Sequence, residues 1–280
     1  MVKIRELTAA EKALPYSKYY YRPVDDPDPE LIELVRPDRP MDPANALYPE
    51  DINRLLDPGY MEVETGWCHL PNGTGYICVN NKMPGVTVDM LDWWFAWHSL
   101  ASMHYGIWFP PGHFGITISQ KDRKKVLDPN VPIKEKIYGR TDHVVEDVGT
   151  GPEDIFIFFC HPSELGFDMS RFHAPNVVAM YGGYGLDMPQ NAEAWAIRVP
   201  AIMCHFIREI PGGIEFRTRF WMGYTLIDGK PLCMLPYGVK VPLEAIQGLA
   251  EHNVREYTNL RNVLPEIYGE LNGAFFDPGL

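Results

Sequence analysis

The C-terminal part of the chain carries a histidine and a glutamate one helical turn apart, His252 and Glu256. Ala245, Leu249, His252, Glu256, Leu260, Val263 and Ile267 follow one another at steps of four and three, the spacing of a single helical stripe. The other five are apolar, so the stripe faces a core and takes the two polar side chains with it. An unpaired carboxylate in a core costs several kcal/mol or takes up a proton. A divalent metal would remove that cost by using both side chains as ligands; the plainer alternative is a buried His–Glu hydrogen bond. A second acid of this kind is Glu146. In a strand it shares a face with Val144 and Val148, and either points inward or reaches solvent from an edge. His205 shares a strand face with Ala201, Met203 and Ile207, as a satisfied core histidine or a functional one. His113 follows Pro110-Pro111-Gly112, a stiff turn suited to holding a ligand. His98 follows Trp94 by four residues on a tryptophan-rich helix, where it either packs or reaches a pocket. Mixed imidazole and carboxylate donors suit Zn²⁺, with Fe²⁺ or Mn²⁺ as rivals. A metal with an open position acidifies bound water and polarises a carbonyl.

Other chemistries find little support. Tyr181-Gly-Gly-Tyr-Gly185 lacks the Lys-Ser/Thr of a phosphate-binding loop and reads as a flexible turn. Cys160-His161 and Cys204-His205 are sequence neighbours, so on strands their side chains would point to opposite faces. No G-x-S-x-G nucleophile turn exists.

These residues need elements to position them. Thr87 is a good N-cap for a helix from about Val88 to Met103, with Met90, Trp94, Trp97 and Ala101 on its buried face. Tyr105–Phe109 reads as a short strand, Gly115–Ser119 as another, and the charged segment 120–136 as loop. Strands are expected over Tyr60–His69 and Thr74–Val79 around Asn72-Gly73. Further strands are expected over Thr141–Val148, Asp154–Cys160, Asn176–Met180, Ala194–Pro200, Ile202–Glu209, Gly213–Leu226 and Lys230–Tyr237, with a tight turn at Asp228-Gly229. A final helix runs from Pro242 to about Leu264 and ends near Pro265. Consecutive strands with tight turns imply an antiparallel sheet. The class is α+β, a curved antiparallel sheet around a long C-terminal helix, the helix-grip arrangement. Residues 1–82, whose first sixty are rich in proline and acid, read as an N-terminal arm or small subdomain, and 83–280 as the main domain.

The whole composition agrees with a globular protein. The 280 residues are 46% hydrophobic and 22% charged, enough to bury a full core. A net charge of −12 argues against nucleic acid and anionic membranes as partners. Five cysteines without a CxxC pair argue against a disulfide framework or a zinc knuckle. The first residues lack an apolar signal core, and the most hydrophobic window, Met90–Phe109, contains Asp92, His98 and His104. These features predict a cytoplasmic protein. The aromatic content, 12%, predicts an aromatic-lined pocket for a flat ligand.

Asp92-Trp-Trp-Phe-Ala-Trp-His98, then Tyr105 and Trp108-Phe-Pro-Pro-Gly-His113, then Glu146, then His252-x-x-x-Glu256 resemble the diacetylphloroglucinol and phloretin hydrolase family over roughly residues 60–265. The resemblance implies a helix-grip, metal-dependent hydrolase that cleaves the carbon–carbon bond between an acyl group and a polyhydroxylated ring. It implies zinc ligands at His113, Glu146, His252 and Glu256, with His205 and Tyr105 in catalysis. Substrate contacts are then expected from Tyr105, Trp97, His98 and Tyr224. The family also uses an asparagine, for which position 116 offers Ile116 instead. The expected partner is a small aromatic ketone or polyphenol, with a homodimer as a further expectation. Two rival functions are a non-enzymatic carrier of hydrophobic ligands and a metal hydrolase of non-aromatic diketones.

Overall fold

In the computed structural model of the chain, residues 4–187 and 199–275 are described. Two short helices, α1 (Ala9–Lys12) and α2 (Pro29–Leu34), lie in the proline-rich N-terminal region. Strands β1 (Gly66–His69) and β2 (Gly75–Pro84) pair around the Asn72-Gly73 turn. Helices α3 (Val88–Trp97) and α4 (Ser102–Trp108) follow, then β3 (His113–Ile118), α5 (Gln120–Leu127), β4 (Thr141–Asp147), β5 (Pro152–Phe159) and β6 (Ala179–Asp187). The chain continues through β7 (Ala201–Ile210), β8 (Gly213–Met222), β9 (Tyr224–Ile227) and β10 (Lys230–Cys233) to the long helix α6 (Leu243–Leu271). Eight strands form one antiparallel sheet in the order β1-β2-β8-β7-β6-β5-β4-β3, and β9 and β10 form a separate hairpin. Its turn residues Asp228 and Gly229 both have positive φ, +49° and +70°, as a two-residue hairpin turn requires. The expected boundary at residue 82 falls inside β2, which pairs with β8 along its whole length, so the sheet crosses it. Among the described residues no helix is long and apolar enough to cross a membrane.

Several local expectations are corrected. Helix α3 begins after the Thr87 cap but ends at Trp97; a short 3-10 turn follows and Ala101 is extended (φ −157°, ψ 147°) before α4 starts. Tyr105–Phe109 is therefore not a strand. Its residues favour strands, but Met103 through Trp108 are all buried in α4, and packing overrides propensity. The charged segment 120–136 contains α5, capped by Ser119, whose Oγ accepts from the Asp122 backbone N–H at 3.0 Å. Tyr181–Gly185 is not a flexible turn but the middle of β6. A Cβ at Gly183 would stand 1.8 Å from the Phe158 carbonyl oxygen, so the glycine lets β5 and β6 approach. Helix α6 passes through Pro265, with Leu264 and Ile267 fully buried on either side of it. Only the last four residues of Tyr60–His69 are strand, and the segment Gly213–Leu226 divides at Gly223 (φ +95°) into β8 and β9. The strand expected at Asn176–Met180 begins only at Ala179, and that expected at Ala194–Pro200 lies mostly outside the described residues.

The core that matters for function lies between the sheet and helices α3, α4 and α6. Trp94, Trp97, Phe95, Tyr257, Phe216 and Leu260 are among its fully or almost fully buried members. Asn259 of α6 donates to the Trp108 carbonyl at 2.8 Å and ties α6 to the end of α4. Outside this layer, Glu64 bridges two buried guanidiniums, Arg217 and Arg219, with contacts of 2.6 Å to each.

Candidate metal centre and active-site cavity

The alternation of four strands builds one wall of a cavity. Asp142, Val144 and Glu146 of β4, Ile155, Ile157 and Phe159 of β5, Ala201, Met203 and His205 of β7, and Phe220 and Met222 of β8 all face it. Helix α6 closes it with Leu249, His252, Glu256 and Tyr257, and the α3–α4 region supplies Phe95, His98, Tyr105 and Trp108. Its volume is about 150 Å³. That is well beyond the ~10–15 Å³ that a single water occupies.

Four side chains converge at one end. His113 and Glu146 are cross-strand partners in the β3–β4 ladder, which brings His113 Nε2 to 3.7 Å from Glu146 Oε2. His252 and Glu256 project from one turn of α6, with Nε2 and Oε2 3.8 Å apart. The two pairs meet: His113 Nε2 lies 3.2 Å from His252 Nε2 and 3.5 Å from Glu256 Oε2. His113, His252 and Glu256 offer ligand atoms that all lie within 4.8 Å of one another, a possible metal site. Donors on a tetrahedral zinc, with bonds of ~2.0–2.1 Å, stand ~3.3 Å apart, close to these spacings. The hydrogen bonding also fits. His113 Nδ1 faces the Tyr105 carbonyl at 3.3 Å and the His252 ring bonds the Asp147 carbonyl, leaving both Nε2 lone pairs aimed inward. Gly112 provides the room, because a Cβ there would come within 3.0 Å of His252 Cε1.

Burial sets the electrostatics of the cluster. Burial pushes the Glu146 carboxyl up to about 7, against the pull of its Tyr105 hydrogen bond. Burial and the neighbouring Glu146 push Glu256 well above the usual carboxylate range. Burial holds His252 down to about 4, and burial with the neighbouring His252 holds His113 well below its ordinary value. Two acids and two neutral imidazoles crowded together are costly in isolation and favourable around a cation. The Tyr105 hydroxyl donates to Glu146 Oε2, and the ring stacks on His113 at 4.1 Å.

The remaining expected residues divide. His98 and His205 line the cavity. His205 Nδ1 meets Thr218 Oγ1 at 2.9 Å and its Nε2 meets the Tyr257 hydroxyl at 3.3 Å. Burial pushes its pKa down to about 3, so His205 is neutral rather than titrating near working pH. The structure does not bring Trp97 and Tyr224 to the cavity. Trp97 stacks on His104 at 3.6 Å, and the Tyr224 hydroxyl accepts from Asn72 Nδ2 at 2.9 Å beside the β9–β10 hairpin. Asp142 and Tyr257 also line the cavity, though no sequence motif marks them, and so does Trp108, which opens the Trp108–His113 segment. Extending the alternation of Val144 and Glu146 back two residues would have found Asp142.

An antiparallel sheet and a long C-terminal helix enclosing a cavity with a histidine–carboxylate cluster define an α+β pocket protein with a candidate metal centre. The family model described as "DAPG hydrolase PhiG domain" matches residues 47–269, and the chain belongs to that family. It is 33% identical to the phloretin hydrolase of Eubacterium ramulus over 95% of this chain and 93% of that protein. It is 28% identical to the 2,4-diacetylphloroglucinol hydrolase of a Pseudomonas species over 94% of this chain and 90% of the relative. The same identity links it to the 2,4-diacetylphloroglucinol hydrolase of Pseudomonas protegens, with 86% of that protein covered.

Proposed function

We propose that this chain is a metal-dependent hydrolase that cleaves the carbon–carbon bond between an acyl group and a polyhydroxylated aromatic ring. One observation carries the reading: in a chain of this family, a His–His–Glu cluster sits at the end of an aromatic-lined cavity. His113, His252 and Glu256 would hold the ion, with Glu146 as the fourth ligand and Zn²⁺ ahead of Fe²⁺ or Mn²⁺. The sheet and α6 are read as a helix-grip arrangement, supported by the packing of α6 on β1 and β2. The five free cysteines, four of them buried, support a reducing, cytoplasmic setting.

The reaction consumes one water. The acyl carbon gains its hydroxyl and leaves as a carboxylic acid; the ring carbon that bore the acyl group keeps a proton in exchange. A polyhydroxylated ring makes this feasible, because its keto tautomer is already protonated at that carbon and the electron pair of the broken bond is delocalised onto ring oxygen. When bound, a divalent cation supplies polarisation of the acyl carbonyl and acidification of a water. The protein's own groups do the rest. Burial and the nearby Glu146 hold Tyr105 in its phenol form, so it orients the Glu146 carboxylate. The Thr218–His205–Tyr257 chain carries hydrogen bonds from the sheet into the cavity, where neutral His205 can pass a proton to or from the substrate. Phe95, Trp108 and Phe220 give flat apolar walls.

The test is turnover of phloretin and acylphloroglucinols followed by HPLC, using protein as purified, stripped of metal and reloaded. Cleavage that disappears on stripping and returns with Zn²⁺ is expected. Failure of metal-replete protein to cleave any acylated polyphenol would overturn the reaction class.

A further inference from the structure

Away from the metal cluster, the cavity wall holds a second polar feature with no role in the chemistry above. His98 is 2% exposed and lines the cavity, as does Asp142, 1% exposed. His98 Nδ1 lies 2.8 Å from the Trp94 carbonyl oxygen, which can only accept, so Nδ1 carries the proton and Nε2 presents a lone pair. Burial and the charge of Arg140 push the His98 pKa down to about 3, so Nε2 stays an acceptor throughout the working range. Nε2 stands 3.8 Å from Asp142 Oδ2, beyond hydrogen-bond reach.

Arg140 fixes the other half. Its Nε and Nη2 donate to Asp142 Oδ1 and Oδ2 at 2.6 and 2.8 Å, and Nη2 also donates to the Phe95 carbonyl at 2.8 Å. Burial pushes the Asp142 carboxyl up and Arg140 pulls it back, while the two-pronged clamp fixes its plane and leaves Oδ2 a lone pair after accepting one bond. The wall therefore presents two acceptors side by side, and no described residue donates to the gap between them. Buried acceptors are costly when unmet, and a ligand O–H set between these two has one proton that both can share.

We propose that His98 Nε2 and Asp142 Oδ2, 3.8 Å apart, share the single proton of a substrate ring hydroxyl remote from its acyl group, in a three-centre hydrogen bond. The inference rests on reading the cavity as an acylpolyphenol site. Tyr105 places the pair relative to the reacting end: its ring stacks on His113 at 4.1 Å and lies 5.9 Å from the His98 ring. The His98 and His113 rings therefore lie no farther apart than those two distances together, a separation of the order of one substituted benzene ring and its contacts. Asp142 and His98 then select for rings with an additional free hydroxyl, with Arg140 as their positioning residue.

The test compares two ligands that differ only at the remote position, 2,4-dihydroxyacetophenone and 2-hydroxy-4-methoxyacetophenone. Titration calorimetry on the wild-type protein reads Kd for each. The free 4-hydroxyl compound is expected to bind about 10–100-fold more tightly, as for a ligand that meets buried acceptors rather than leaving them unpaired. In His98→Leu the ratio falls toward one, and in His98→Gln, which keeps a hydrogen-bonding head group, part of it returns. The ligand pair on wild-type protein keeps the test independent of how the variants fold. Equal Kd values in the wild type, or a ratio unchanged in folded His98→Leu, would overturn the paired acceptor while cleavage of acylpolyphenols stands. Binding of neither ligand, with no cleavage of acylpolyphenols, would overturn the paired acceptor together with the reading of the cavity.

Discussion

At the scale of single residues, burial decides which form a titrating group takes unless an ion pair outweighs it. Burial disfavours the charge of His205, whose ring nitrogens face Thr218 and Tyr257; in the proposed mechanism it works through those hydrogen bonds rather than as a standing imidazolium. Replacing it with Gln should lower kcat by about 10²–10⁴-fold, the usual worth of a positioned acid–base group. Metal content, measured in the same preparation, should not change. A variant with wild-type kcat would remove His205 from the mechanism. Glu64 is the opposite case. Burial pushes its carboxyl up, but Arg219 and Arg217 outweigh burial and hold it down to about 2, against 4.5 as an ordinary value. A depressed folded-state pKa contributes stability above the unfolded value and loses it as pH falls through the folded one. Glu64 should thus contribute about 3 kcal/mol at neutral pH that fades between pH 4.5 and about 2. Urea unfolding as a function of pH should show that slope, and Glu64→Gln should remove it while destabilising the neutral protein by about 3–5 kcal/mol, since two buried guanidiniums lose their partner.

At the scale of elements, glycines and a ladder register hold the site together. Gly112 backs the His252 ring, and a methyl group there would meet Phe109 Cδ1 at 2.8 Å and the Asp147 carbonyl at 3.1 Å as well. Gly112→Ala should displace His252 and weaken metal binding about 10–100-fold, as loss of an orienting contact does. Competition with a chromophoric chelator measures this, and unaltered affinity would show that the turn has slack. The helical stripe and strand alternation made three parts of the cluster readable from sequence, because period-four and period-two patterns carry burial directly: His252 and Glu256 are buried on α6, and Glu146 on β4. The fourth, His113, was singled out only by its stiff turn; its cross-strand pairing with Glu146 is a long-range fact with no local signal. Tyr105 was expected on a strand and sits on a helix, since its aromatic neighbours satisfy either element and only packing around α4 decides. Tyr257 lies off the apolar stripe, because α6 is buried over a wider arc that takes in Asn253 and Val254 too. The glycines of β6 read as a turn because sequence does not reveal how closely β5 and β7 approach.

At the scale of the whole molecule, the candidate metal site joins elements far apart in the chain: β3 and β4 on the sheet side and α6 near the C-terminus. An ion held by all three ties the sheet to the helix and stabilises the folded state by mass action. Chelation should therefore lower Tm by about 3–5 °C, from a loss of about 2–3 kcal/mol. Differential scanning calorimetry with and without chelator checks this, and identical curves would mean that no ion contributes to the fold. The most direct test of the central claim is the metal content of purified protein, measured by inductively coupled plasma mass spectrometry beside a folded His252→Ala/Glu256→Ala variant. The geometry predicts about one divalent ion per chain in the wild type and essentially none in the variant. A wild type devoid of metal, or a variant that retains its full complement, would contradict it.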